Sequence, residues 1–371
     1  MELVEVFNPY FNVFRIFGIC LQTPGMSHCE KILSYIFSII GLICVTVLST
    51  IQYYNNNPAT GKDILNYIQG ICLHITHFVV IIETLFTQKQ QLQFWYYLQK
   101  LEGYFKKDLE YAQRCYITCK RNVIKKFWLL TGFSILIETS LFTLLYIFDK
   151  TQEKSIEDLQ SWCLLILGVI VGRFRHLSHI FVIDILKVHI EIFNNSLAKL
   201  SRKNFKNFHK ESIIEELNFI KFRHTYIWEI CRNINLSHFW SQICNIFINF
   251  LQLTCICYYI YYHIVFRQFK IIAHTFLLHL PILSHLYILM QSSENLQIEA
   301  QKSSTFLHSL LRKSSKDVSP LLKNYIMDLS LQMHHEKINI GFGRIFTLNI
   351  AFMCGMIGTI ATYFVIAIQF F

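Results

Sequence analysis

The chain has 371 residues, of which 53% are hydrophobic and only 16% charged, with a formal net charge of +10 at pH 7. Soluble domains carry about 25% charged residues, so the composition excludes an ordinary water-soluble fold. The basic residues are spread over three separate loops, which argues against a nucleic-acid-binding patch.

Near the start, NPYFNVFRIFGICLQTP at residues 8–24 reads as a short amphipathic approach segment. Arg15 interrupts its apolar run, so no cleaved secretory leader is expected and the first true span acts as its own insertion signal. Seven apolar blocks follow, at 32–54, 64–86, 127–148, 159–186, 236–262, 271–291 and 345–371. Each approaches or exceeds the ~20 residues a helix needs to cross a bilayer. With only 5 prolines and 13 glycines in the chain, the blocks read as helices and not as barrel strands. The expected fold class is all-α: a polytopic membrane protein of seven transmembrane helices, forming a single domain over 1–371. The fourth block is long and carries Arg173 and Arg175. Its inner half is expected to leave the membrane and continue as a cytoplasmic helix.

Lys and Arg counts orient the spans. Loops 87–126, 187–235 and 292–344 carry nine, nine and seven, whereas 55–63, 149–158 and 263–270 carry one, two and two. The amino terminus is therefore expected in the cytoplasm and the carboxyl terminus outside, with the basic loops also meeting anionic lipid head groups. None of the 12 cysteines falls in an expected outside loop, so no outside disulfide framework is expected. The sequons at Asn194 and Asn235 fall in an inside loop and are expected to be empty. The basic loops show helical apolar spacing in QQLQFWYYLQKLEGYFKKDLE and SIIEELNFIKFRHTYIWEICRNI, and read as cytoplasmic extensions of the membrane helices. After a short loop around Pro320 a further helix is expected, broken by Gly341 and Gly343 before the last span.

Among 16 histidines, the pairs His74/His77 and His176/His179 have a spacing that can place two ligands on one helix face. No zinc motif accompanies them, and hydrogen-bonding roles fit better than metal. No nucleophile motif, phosphate loop or dinucleotide fingerprint occurs, so neither an enzyme nor a cofactor is expected. Glu83 lies near the inner end of the second span, where it is expected to reach the interface. Glu138 lies deeper and needs a cavity or a buried partner. Arg173 and Arg175, two residues apart, lack the every-third-residue stripe of a voltage sensor. His74, Glu138, Trp162, Gln252, Tyr258, Tyr259, His274 and His279 would together give an aromatic-walled pocket with a few polar groups. Taken singly, the tyrosines and tryptophan are also ordinary interface anchors.

The last block ends TYFVIAIQFF, residues 362–371. Thr362 and Gln369 are seven residues apart and share a helix face, with Tyr363 and Phe370 on the adjacent strip. TYFVIAIQF resembles the carboxyl-terminal signature of insect gustatory receptors: Thr-Tyr, five mostly hydrophobic residues, Gln-Phe. The run GFGRIFTLNIAFMCGMIGTIA before it, the 8–24 segment, the chain length, the span count and the inverted topology are also similar. The resemblance implies a ligand-gated cation channel related to insect odorant receptors. It also implies four subunits, alike or mixed, around one pore lined by the last helix, and a tastant pocket in the outer part of each subunit. Gln369 and Phe370 would form the constriction, Thr362 and Tyr363 would lie two turns deeper, and Ile366 would sit between. Sweet-sensing members tend to carry an acidic residue directly after Thr-Tyr. Phe364 stands there, so a bitter or other plant metabolite is expected before the common sugars, with Glu138 as the acid for a basic ligand. A metabotropic seven-helix receptor and a secondary transporter are the rival expectations. The first needs the opposite orientation, and the second needs internal repeats.

Overall fold

A computed structural model describes residues 2–19, 22–55, 61–104, 109–148, 154–202, 210–267, 269–314, 320–343 and 346–369. The helices are α1 (Glu2–Ile16), α2 (His28–Asn55), α3 (Gly61–Phe86), α4 (Gln88–Gly103), α5 (Leu109–Phe148), α6 (Lys154–Arg202), α7 (Lys210–Ser237), α8 (Phe239–Val265), α9 (Phe269–Ser314), α10 (Pro320–His335) and α11 (Ile350–Gln369). Strands β1 (Gly341–Phe342) and β2 (Phe346–Thr347) form a small antiparallel hairpin between α10 and α11.

The seven expected spans lie in α2, α3, α5, α6, α8, α9 and α11. Among the described residues, His28–Tyr54, Tyr67–Phe86, Leu165–Arg202 and Phe239–Val265 are each long and apolar enough to cross a membrane, and Ile350–Ile366 is a shorter apolar helix. Ile36, Ile40, Ile43 and Val47 of α2 all point away from the protein, as on a lipid-facing helix.

Beyond the membrane part, α5, α6 and α9 run on without a break and join α4, α7 and α10 in a helical hub. On α6, Ile183, Leu186, Ile190, Phe193 and Leu197 repeat at three and four residues and are buried, so one stripe enters the core. It meets the same hydrophobic cluster as Leu289, Leu296, Leu307 and Leu310 of α9. Helix α1 is not a span. Its buried Phe7, Phe11 and Phe14 wedge against Trp95 and Phe181, with Phe11–Trp95 centroids 5.5 Å apart and Phe14–Phe181 5.6 Å.

Polar stitches close the hub. Lys126 of α5 reaches Asp184 of α6 at 2.7 Å and Ser292 of α9 at 2.8 Å. Asn194, the residue of the first sequon, is buried and donates to the Glu299 carbonyl and carboxylate, both at 2.8 Å. Asn235, of the second, donates to the Asn339 carbonyl at 2.9 Å and accepts from Gly341 N at 3.2 Å. Both side chains therefore hold the hub together.

Two local features differ from the sequence expectation. The fifth span does not start at 236: α7 ends at Ser237 and α8 starts at Phe239, with His238 between. The apolar character runs across this break, so hydropathy alone hides it. The glycines at 341 and 343 do more than interrupt a helix. Gly343 turns the hairpin at φ +61°, a conformation side chains disfavour. A Cβ on Gly341 would fall 2.4 Å from the Phe346 carbonyl oxygen.

The His224 ring nitrogen lies 3.2 Å from Glu336, and Gln332 donates to the same carboxylate at 2.8 Å. The His224 bond, aided by Gln332, holds the Glu336 carboxyl below its ordinary 4.5. A depressed carboxylate contributes stability above its unfolded pKa and loses it as pH falls through its folded one. Acidification from about pH 5 to about pH 3 should therefore lower the thermal midpoint of the purified protein. Glu336→Gln should be less stable at neutral pH and lose less of its midpoint over that range, as followed by intrinsic fluorescence.

Candidate ligand site within the membrane bundle

Two buried ion pairs organise this part of the bundle. Glu83, near the end of α3, accepts from the first amides of α8, Trp240 N at 2.6 Å and Ser241 N at 3.1 Å. It also receives Arg175 Nη2 at 2.9 Å. Arg175, on α6, is 0% exposed and further donates from Nε to Ser241 Oγ at 2.8 Å and from Nη2 to the Ser237 carbonyl. A carboxylate at a helix N-terminus meets unpaired amides and the positive end of the helix dipole. Glu83 is thus a buried cap joining three helices, not an interfacial side chain as expected. Beside it, the His179 and His238 rings stack at 4.4 Å and 13°. Nearby, Glu138 of α5 pairs with Arg173 of α6. The two arginines, two residues apart, reach different neighbours from one helix.

Between α3, α6, α8 and α9 lies a cavity of about 20 Å³, room for about one water-sized group. Its polar wall is Arg173 and His176 of α6, Asn245, Asn249 and Gln252 of α8, and His285 of α9; Leu73, Val169, Ile248 and Ile282 are apolar wall residues. Gly168 and Gly172 keep it open. A Cβ on Gly172 would lie 3.0 Å from Asn245 Oδ1, and one on Gly168 would lie 3.0 Å from Leu73 Cγ. Asn249 Nδ2 is 3.0 Å from His176 Nε2, and Asn245 donates to the Gly172 carbonyl at 3.3 Å.

The expected pocket residues do not converge on this cavity as a set. Gln252 lines it, and Glu138 acts on it through Arg173. Because Glu138 is already paired, it is not a free acid for a basic ligand. His74 is buried, and neither ring nitrogen makes a hydrogen bond in the described structure. Tyr258 and Tyr259 lie further along α8 with ring centroids 5.9 Å apart, and His279 is half-buried on α9. The side chains of Trp162 and His274 lie outside the described residues. Sequence reading missed Arg173, His176, Asn245, Asn249 and His285 as one group. The legible signal was the polar stripe His238, Gln242, Asn245, Asn249, Gln252 at three- and four-residue spacing along an apolar helix.

Helix α11 packs on α8 and α9 along a narrow face, where Met356 and Ile360 are buried. Gly355, Gly358, Thr362, Ile366 and Gln369 form an exposed stripe on the rest. The Tyr363 ring lies 6.5 Å from Phe250, and Phe364 lies 6.1 Å from Tyr261, so these two rings hold α11 to α8. Phe370 lies outside the described residues. At the hub end, Asn349 Oδ1 accepts from Phe352 N at 2.8 Å, and Glu294 of α9 accepts from Ile350 N at 3.0 Å. Phe342 of β1 bridges Phe239 of α8 and Phe346 of β2, and Phe346 stacks on Phe352 at 4.7 Å. The hairpin thereby joins the bases of α8 and α11.

A family model described as 7tm Chemosensory receptor matches residues 7–370. The chain belongs to this family. The fold agrees: this chemosensory receptor is similar to the insect olfactory receptor OR5 from Machilis hrabei, at 14% identity and a TM-score of 0.72 over 100% of this chain and 99% of that one. It is also similar to the same receptor in complex with eugenol, at 13% identity and a TM-score of 0.70 over 100% of both chains. No curated protein sequence matches it. The receptor is thus all-α and polytopic, with the seven-helix fold of that olfactory receptor.

The cap on α11 is testable by amide hydrogen exchange. Asn349→Ala removes an N-cap worth about 1 kcal/mol and should speed exchange at Phe352 roughly fivefold, while Asn349→Asp keeps protection near wild type.

Proposed function

We propose that the chain is a gustatory receptor subunit acting as a ligand-gated cation channel in the plasma membrane of a chemosensory neuron. The whole chain works as one seven-helix unit without enzymatic activity, its amino terminus in the cytoplasm and its carboxyl terminus outside. Four subunits, alike or mixed, surround a pore lined by α11. A small tastant, a plant metabolite before a common sugar, binds among α3, α6, α8 and α9 and shifts α11.

The observation that carries this reading is the free face of α11. Apolar membrane helices normally bury small and polar residues against protein, yet Gly355, Gly358, Thr362 and Gln369 all face away from this chain's own bundle. A shared water path beside neighbouring copies accounts for that stripe. Phe370 beside Gln369 supplies an apolar ring that closes such a path by dewetting. Family membership supports the chemosensory role, and the basic loops support the orientation.

The test records currents from cells whose carboxyl-terminal epitope is labelled without permeabilisation. Phe370→Ala should leave a standing leak without ligand. Gln369→Glu, placing a carboxylate ring in the pore, should raise cation over anion permeability and move the reversal potential accordingly. Surface-delivered protein whose epitope is reached only after permeabilisation would favour a metabotropic receptor. Ligand-evoked currents indifferent to both substitutions would remove α11 as the pore.

A further inference from the structure

Helix α5 runs from the hub into the membrane part with one uncovered face. Arg114, Lys120, Arg121, Lys125 and Lys126 stand on it just before the apolar run that begins at Phe127. Two of them are matched on the protein: Arg114 lies 3.7 Å from Glu110, and Lys126 lies 2.7 Å from Asp184. Glu191 of α6 is also taken, by Lys187 at 3.3 Å. Lys120, Arg121 and Lys125 are exposed, and none pairs with a carboxylate among the described residues. Exposed cations are ordinarily just solvated. These differ in where they stand.

Arg121, Lys125 and Trp128 follow one another at four and three residues and share one helix stripe. Trp128 is 64% exposed, and Leu129, Ile135 and Leu136 beyond it also point away from the protein. A tryptophan at the head of exposed aliphatic side chains marks the edge of the hydrocarbon. Along the axis, Lys125 lies about 4.5 Å and Arg121 about 10.5 Å from Trp128. The head-group layer is roughly 5–8 Å deep on each side of the core. One cation therefore stands within that layer and the other at its outer edge. A serine head group carries its charge within the layer and answers only the first. A phosphorylated inositol head carries one phosphate within the layer and more on the ring beyond it. It meets both cations, with Lys120 on the flank. The planar guanidinium of Arg121 suits two phosphate oxygens at once. Basic clusters directly next to a span attract lipids of this kind.

We propose that the face of α5 carrying Lys120, Arg121, Lys125 and Trp128 is a docking site for the head of a polyphosphorylated inositol lipid, whose chains lie along Leu129, Ile135 and Leu136. The basic loops attract any anionic lipid by charge; this face selects one class by the heights of its cations. The site rests on the proposed orientation only for the leaflet that supplies the lipid, the cytoplasmic one.

The test titrates the purified full-length receptor, in neutral detergent at physiological salt, into a fluorescent short-chain phosphatidylinositol bisphosphate and reads anisotropy. Binding should saturate and be about tenfold tighter than for phosphatidylserine of the same chain length, since more than one cation is matched. Arg121→Gln combined with Lys125→Gln should weaken it roughly thirtyfold, about fivefold for each basic residue at a lipid surface. Arg114→Gln should stay within about twofold, because that residue is matched and lies more than a Debye length beyond Arg121. An unchanged Tm shows that these surface variants fold. Inositol trisphosphate, the head without the chains, should displace the probe about tenfold less well than unlabelled lipid, for want of the exposed apolar strip. Failure to saturate, equal affinity for the serine lipid, wild-type affinity in the double variant or an equal loss in Arg114→Gln overturns the proposal. Equal displacement by inositol trisphosphate overturns it in favour of a soluble phosphate. A double variant whose oligomer falls apart on size exclusion overturns it in favour of a contact between copies. Epitope labelling separates the two readings. Selective binding by a receptor whose carboxyl terminus is reached only after permeabilisation upholds the lipid site and removes the orientation. An outside terminus without selective binding does the reverse.

Discussion

A charge buried among membrane helices must be matched by another charge, and this constraint orders the molecule. Removing one partner of a buried pair typically costs about 3–5 kcal/mol, a large share of the stability of any fold. Arg175 lies within hydrogen-bonding reach of three helices at once: α3 through Glu83, the end of α7 through the Ser237 carbonyl, and the start of α8 through Ser241. Glu83 in turn occupies the first amides of α8. The break at His238, the entry of α8 and the position of α3 are therefore one arrangement. Arg173, about half a turn away, adds α5 through Glu138. α6 is thus a central post whose two arginines fasten four other helices.

The same post connects the cavity to α11. The cavity sits directly beside Arg173, and its opposite walls are α8 and α9. Those are the two helices on which α11 rests. α8 meets it through Ile360 near Leu253 and Ile256. α9 meets it at the hub end, where Glu294 takes the first amide of α11. Any shift of α8 against α9 would therefore reach α11 at both places without a separate relay. The long unbroken α6 and α9 are clamped to each other at the hub end by Asn194 and Glu299.

Much of this was legible from residues alone. Blocks of apolar side chains marked the spans, because a bilayer leaves a helix few alternatives. The continuation of the fourth block into the hub followed from its length and its arginines. What was hidden depended on pairing. Nothing local distinguishes a Glu83 at the interface from a Glu83 capping a helix whose first amides lie 157 residues later. Glu138 invited a role as a ligand acid because its partner, 35 residues on, is fixed only by helix packing. The hairpin at Gly341 was read as a break because two-residue strands carry no periodicity. The polar stripe of α8 was readable in principle, but the conspicuous tyrosines beyond it drew attention away from Asn245 and Asn249.

The most direct measurement of the matched-charge account is a double-mutant cycle on the central pair, read as the Tm of the purified protein with surface delivery as a second readout. Glu83→Gln and Arg175→Met, taken singly, should each lower Tm by several degrees and cut delivery, since each strands a buried charge. The double variant should recover most of the loss, because the introduced carboxamide oxygen would still accept from one amide of α8 and no charge would remain unmatched. Single variants with wild-type Tm, or a double variant losing the sum of the two, would contradict the claim that charge matching sets this architecture.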